Sequence, residues 1–148
     1  MEIEAFLSPE QESQLAEAIA EAERNTSGEI KIHLDKKCSG DALERAKKLF
    51  VKMKMNETKF RNGVIIYVAV DDHKLAIFGD EGIHSSVGES FWKQEIDLLV
   101  KYFKKGEYLQ GLLLVTAQIG EKLSENFPFD QKGDTNELDN EITYSQGS

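Results

Sequence analysis

The sequence predicts an α/β fold in which helices sandwich a small mixed β-sheet, and three observations support this prediction. Residues 63–69 form a continuous apolar run of β-branched and aromatic residues, which is typical of a strand buried on both faces. The next apolar run follows after the link Asp71-Asp72-His73-Lys74, which is too short for any connection other than a hairpin. A strand and a helix precede the first strand of that hairpin, and this order of strand, helix and strand predicts a right-handed unit with parallel strands.

The first predicted elements are a helix and a half-exposed strand. Ser8 is a suitable N-cap, Pro9 suits the first turn, and Gln11 stands at the capping-box position. Thr26-Ser27-Gly28 ends this helix. Residues 29–35 then alternate polar and apolar side chains, as expected of a strand with one face in solvent.

The next predicted elements lead into the central strand. Residues 39–55 form an amphipathic helix with a basic outer face, and a polar loop over 55–62 follows it. After the hairpin, the capping box from Ser86 to Glu89 predicts the start of a third helix, which ends at Lys104-Lys105-Gly106. A fourth helix is predicted over 107–125.

The apolar pattern fades after Phe129. We therefore predict one domain over residues 1–129 and an acidic tail without regular structure over residues 130–148. The tail holds five acidic residues and one lysine.

The bulk composition excludes several classes of protein. The net charge of −9 disfavours nonspecific nucleic-acid binding. The single cysteine, Cys38, excludes an internal disulfide and indicates a reducing compartment. The sequence has neither a signal peptide nor an apolar run long enough to serve as a membrane anchor, so a cytoplasmic location is expected. The oligomeric state stays open.

Polar residues fall at two opposite edges of the predicted sheet. At the edge where the parallel strands begin, Glu29, Asp80 and Glu81 are expected to converge beside His84. Clustered carboxylates favour a bound cation, and an all-oxygen set in a flexible loop suits Ca²⁺ better than Mg²⁺. The competing interpretation is that Asp80 and Glu81 fill a turn while Glu29 faces water.

The opposite edge offers an alternative metal set, Asp35, Asp71 and Asp72. Open α/β sheets commonly bind ligands beyond the carboxyl ends of their parallel strands. Aspartates are also ordinary hairpin-turn residues, so turn chemistry is the other interpretation there. His84 is the candidate proton donor or acceptor if a substrate binds at the first edge. No nucleophile-base pair, zinc spacing or phosphate loop is evident.

Several short segments together resemble the TPM-domain family, also called the thylakoid acid phosphatase domain. The matching pieces extend from about Leu7 to Phe127 and are specific mainly through their order and spacing: residues 26–30, 62–69, 71–74, 79–82, 103–108 and 111–112. The sequence departs from the family at His73, where an arginine is usual. It also departs at residues 79–84, which replace the usual Gly-Tyr-Gly-Leu-Glu loop and place His84 near the family's glutamate.

The resemblance implies a Rossmann-like fold and a divalent-cation site bordered by mobile loops, with calcium favoured. A plant chloroplast member is associated with acid phosphatase activity, and an animal member with receptor modulation. Two functions follow as expectations. The leading one is a metal-dependent interaction or regulatory module with a protein partner of unspecified identity. The alternative is a weak metal-assisted phosphomonoester hydrolase.

Overall fold

The computed structural model describes residues 3–129 and 142–147, and its architecture confirms the predicted mixed α/β fold. One sheet has the strand order β3-β2-β1-β4. Its strands are β1 (Glu29–Lys37), β2 (Gly63–Ala69), β3 (Lys74–Gly79) and β4 (Ile142–Gly147). β1 runs parallel to both β2 and β4, whereas β3 is antiparallel to β2 and closes the predicted hairpin.

Helices cover both faces of the sheet. They are α1 (Pro9–Glu23), α2 (Ala42–Lys52), α3 (Glu81–Val87), α4 (Glu89–Lys104) and α5 (Tyr108–Asn126). Alternate residues of β2 point to opposite faces. Val64, Ile66 and Val68 enter the larger core with α1, α4 and α5, while Ile65, Tyr67 and Ala69 enter a smaller core under α2.

The structure confirms the predicted start of α1 and the predicted range of α5, whereas α2 is shorter than predicted. Ser8 and Gln11 form the predicted capping box of α1, with the Gln11 amide 3.1 Å from the Ser8 hydroxyl. α2 is shorter than predicted because the Asp41 carboxylate caps it by accepting from the amide of Glu44. α5 matches the predicted fourth helix within about two residues at either end.

The prediction of an unstructured tail was wrong for residues 142–147, which form β4. Ile142 and Tyr144 pack against the larger core, and the Tyr144 hydroxyl donates to the Glu12 carboxylate at 2.6 Å. Residues 130–141 of the predicted tail lie outside the described residues. Because β4 makes β1 an inner strand, the prediction of a half-exposed β1 was also wrong: Lys31, His33 and Asp35 are buried.

The predicted capping box at Ser86 was wrong as well. Ser86 lies inside α3, whose N-cap is Asp80, and the helix predicted to begin at Ser86 is α4, whose N-cap is Gly88 and has no side-chain cap. α3 and α4 are separate helices because Gly88, which lies between them, has a φ of 80° and so interrupts the helical conformation. Asp80 and Glu81, which were predicted to lie in a flexible loop, are therefore the N-cap and the first residue of a helix.

No helix in residues 3–129 combines the length and the apolar character needed to cross a bilayer.

Candidate functional site

At the edge where the parallel strands begin, Asp80 is held by Arg61. The Arg61 guanidinium donates to both oxygens of Asp80, at 2.6 and 2.8 Å, and to Glu81 at 3.3 Å. Asp80 also accepts from the amide of Glu81 at 2.8 Å, which caps α3. The hydrogen bond to Asp80 raises the pKa of Arg61 above its usual value. This edge therefore carries a built-in positive charge among its carboxylates.

Glu29 lies on the same edge but two strands away from Asp80. Glu29 is paired with Gly63 of β2, and the Gly63 carbonyl accepts from the Asp80 amide. Gly63 thus stands between the two acids, and two strand spacings put their backbones about 10 Å apart. The structure brings Asp80 and Glu81 together with Arg61, and it does not place Glu29 in that ion pair.

His84 is oriented by Trp92 on the next helix. The Trp92 indole donates to His84 Nδ1 at 3.0 Å, so the proton of the neutral imidazole is on Nε2. His84 Nε2 lies 3.6 Å from the Glu89 carboxylate. Trp92 also packs on Gly79, where an added Cβ would come within 2.3 Å of the indole.

These side chains border a groove of about 410 Å³ beside β3. Its floor is formed by Ile77, Phe78 and Gly79 of β3. Leu43 and Lys47 of α2 form one wall, and the other polar and aromatic residues complete the rim: Arg61, Asp80, Glu81, His84, Glu89 and Trp92. The groove therefore runs along the outer strand of the sheet.

At the opposite edge, Asp35 is the centre of a buried hydrogen-bond network. Its carboxylate accepts from His33 at 2.7 Å, Arg45 at 2.8 Å and Tyr67 at 2.6 Å, and also from Ser145. Burial by itself raises the pKa of Asp35, but these hydrogen bonds outweigh it and hold the pKa well below its usual range. Burial and the hydrogen bond to Asp35 raise the pKa of Tyr67.

The network joins four elements and fills the acceptor positions of Asp35. His33 and Asp35 are on β1, Tyr67 is on β2, Arg45 is on α2, and Ser145 is on β4. His33 Nδ1 also bonds the Thr143 hydroxyl of β4 at 2.6 Å. A carboxylate has about four acceptor sites, and the four donors on Asp35 engage that number. The arrangement therefore suits a structural anchor for β4.

Asp71 and Asp72 do not join Asp35 around a common point. Asp72 accepts from the Cys38 amide at 2.7 Å, and the Asp71 carboxylate lies 3.8 Å from the Lys36 ammonium. Lys74 donates to the carbonyls of Cys38 and Gly40, both at 2.8 Å. These contacts tie the hairpin to the loop after β1.

The residues of the two predicted metal sets do not fit a preformed calcium site. Within residues 3–129 and 142–147, no group of three or more His, Cys, Asp or Glu side chains is placed to hold a metal ion. Asp80 is engaged by a guanidinium, and Asp35 by four other donors. Metal binding at either set stays a prediction, and no chemistry is derived from it.

Sequence reasoning missed Arg61, Trp92 and the Asp35 network. Arg61 directly precedes Asn62-Gly63, but nothing in the sequence pairs it with Asp80. A signal for the network was present in residues 142–145, where Ile142 and Tyr144 alternate with Thr143 and Ser145.

A four-stranded mixed sheet with helices on both faces defines a small Rossmann-like α/β domain, and comparison with known proteins identifies its family. The sequence model of the TPM domain matches residues 2–122. The chain therefore belongs to the TPM-domain family. None of the curated proteins searched matches it.

The chain is similar to several solved structures, among them the following two. The NMR structure of the BA42 protein from the psychrophilic bacterium Bizionia argentinensis is 41% identical, with a TM-score of 0.87. That match covers 97% of this chain and 98% of BA42. The N-terminal domain of a P. gingivalis protein is 17% identical with a TM-score of 0.69, over 88% of this chain and 82% of that domain, and shares the fold alone.

Proposed function

We propose that this TPM domain is a noncatalytic interaction module that binds an extended segment of a protein partner along the outer edge of β3. The groove of about 410 Å³ beside that edge carries the proposal. β3 is one of the two edge strands of the sheet that the described residues form, so one row of its backbone groups faces away from β2. Peptides bind such edges by adding a strand.

The hydrogen bonds of β3 define which backbone groups face the groove. The Asp80 amide donates to Gly63 on β2 at 2.9 Å. Because the N–H and C=O groups of successive residues in a strand point to alternate sides, those of Ala76 and Phe78 also point toward β2. The N–H and C=O groups of Leu75, Ile77 and Gly79 then point outward, where a partner strand pairs with them.

The walls of the groove indicate the chemistry of the partner segment. Leu43 is 39% exposed and lies on the α2 wall, opposite a rim that includes Trp92. An extended segment with an apolar residue facing these two side chains buries that surface. Backbone pairing supplies affinity and the apolar contact supplies specificity.

A random linear peptide library displayed on phage and panned on the full chain tests the proposal. We expect selected peptides to protect the amides of Leu75, Ile77 and Gly79 from hydrogen exchange. Leu43→Arg should weaken their binding at least tenfold in fluorescence anisotropy. Val51→Arg is the matched control, because Val51 is an exposed apolar residue of α2 outside the groove. Selected peptides that leave these amides unprotected, or bind both variants equally, would contradict the proposal.

Calcium binding at Glu29, Asp80 and Glu81 remains a separate proposal that rests on the position of these acids at one end of the sheet and on the family resemblance. A calcium titration followed by amide NMR tests it, since saturable shifts at residues 80–84 should vanish in Asp80→Asn with Glu81→Gln. Saturable shifts that persist in that variant would remove these acids from contention. A cytoplasmic location also remains a proposal, and the single cysteine supports it.

The phosphatase alternative, with His84 as proton donor, also rests on the resemblance. Its test is hydrolysis of a chromogenic phosphomonoester by the pure protein and by the same double variant.

A further inference from the structure

A second cavity of about 410 Å³ lies at the other end of the sheet, where β2 turns into the hairpin. Its walls are apolar and come from β2, β3, α4 and the segments before α1 and at the start of α5: Phe6, Val68, Leu75, Val100, Phe103 and Tyr108. The Tyr108 ring lies 4.9 Å from the Phe6 ring and 5.0 Å from the Phe103 ring, measured between centroids. Three packed aromatic rings therefore form one wall.

The rim of this cavity carries positive and titratable groups. Lys104 and His73 both line it and are exposed, and neither makes an ion pair within residues 3–129 and 142–147. Asp71, the acidic residue of the lining, lies beside the Lys36 ammonium at 3.8 Å. His73 is held in the turn with a φ of 53°, so its position at the rim is fixed by the hairpin. The cavity thus combines an apolar interior with a cationic group at its mouth.

The location and size of the cavity are those of a small-molecule site. Ligand pockets commonly have volumes of about 300–1,000 Å³, with mostly apolar walls and a few polar groups. The cavity lies at the carboxyl end of β2, where open α/β sheets tend to bind ligands. The groove beside β3 has a different lining, although Leu75, with which the proposed partner strand pairs, also lines this cavity.

We propose that this cavity binds a free medium-chain carboxylate, with its hydrocarbon chain against the aromatic wall and its anionic group facing Lys104. Burial of each methylene should tighten binding about fourfold until the cavity is full. Decanoate, with two more methylenes, should therefore bind about fifteenfold more tightly than octanoate. Charge reversal at the head group, as in decyltrimethylammonium, should place a cation beside Lys104 and weaken binding.

Amide NMR titrations of the full chain with monomeric octanoate, decanoate and decyltrimethylammonium test the proposal. We expect saturable decanoate shifts at Val68, Leu75 and Val100. Lys104→Gln should weaken the binding of decanoate at least fivefold and should not weaken the binding of decyltrimethylammonium. Lys101→Gln is the matched control, because Lys101 is an exposed lysine of the same helix outside the cavity lining.

A second variant separates the cavity from nonspecific detergent binding. Val100→Trp should place an indole in the cavity and block the decanoate shifts, and the amide spectrum of the variant reports whether it folds. Lys104→Gln, at an exposed site, keeps the proposal testable if Val100→Trp does not fold. Equal binding of the two head groups, or an absence of saturable shifts at these amides, would overturn the proposal. Sedimentation with phosphatidylglycerol vesicles but no binding of free decanoate would also overturn it.

Discussion

Glu95 should make the protein less stable as the pH rises from 5 to 8. This residue lies on the buried face of α4 and is 1% exposed. Burial disfavours its charged form and raises the pKa of Glu95 from 4.5 to about 7. The proton is therefore held more tightly in the folded chain than in the unfolded chain.

The sign and size of the effect follow from proton linkage. Between pH 4.5 and 7 the unfolded chain loses this proton first, so the free energy of unfolding falls as the pH rises. The difference between the two pKa values, about 2.5, corresponds to about 3 kcal/mol once the pH exceeds 7. Between pH 5 and 8 the expected loss is about 2 kcal/mol.

Urea unfolding of the wild type and Glu95→Gln at pH 5 and pH 8 measures this loss. The neutral, nearly isosteric amide removes the titration, so the variant should gain about 2 kcal/mol relative to the wild type on going from pH 5 to pH 8. Glu121→Gln is the control, because Glu121 is an exposed acid of α5 and should leave the pH dependence unchanged. The reasoning is refuted if Glu95→Gln and the wild type lose the same stability between the two pH values.

Two further substitutions test the packing that positions the two edges. Asp35→Asn should lower the free energy of unfolding by about 3 kcal/mol, because it leaves the Arg45 guanidinium without its carboxylate. Hydrogen exchange of this variant should show that the β4 amides lose protection. Unchanged protection of these amides would contradict the anchoring role. Gly82→Ala should cost about 3 kcal/mol in urea unfolding, because its Cβ would lie 2.2 Å from the Phe60 carbonyl oxygen. Gly40→Ala, with no heavy atom within 4 Å of the added Cβ, should change stability by less than about 0.5 kcal/mol, and equal effects of the two glycine substitutions would refute the steric argument.

The order of β1, α2, β2 and β3 could be predicted because local patterns carried it. The apolar run from Gly63 to Ala69 has no polar break, and the hairpin after it has no length for another connection. β4 could not be placed in the same way because it is more than 100 residues away in the chain from β1, with which it pairs. The acidic composition of residues 130–141 also masked the short alternating pattern that begins at Ile142.

For the candidate sites, the sequence predicted at which end of the sheet each residue lies, but not which side chains contact one another there. Strand direction placed Asp80 and Glu81 at the beginning of the parallel strands, and the structure confirms that placement. Which charges meet there depends on side chains from distant loops, and Arg61 enters from the loop before β2. The cavity beside Phe6 and Tyr108 depends in the same way on helices whose relative positions no local pattern specifies.

At the edge where the parallel strands begin, the Arg61 guanidinium binds Asp80, where a divalent cation was predicted. Arg61 has a φ of 53°, a conformation that costs a non-glycine residue about 1 kcal/mol. Two contacts offset that cost: its carbonyl accepts from the Gly82 amide at 2.8 Å, and its guanidinium binds both oxygens of Asp80. A metal ion at Asp80 has to displace this guanidinium and disturb the first turn of α3. The groove beside β3 needs no such rearrangement, and its neighbouring loop is already fixed by these contacts, which is why we favour a partner strand over a cation at this edge.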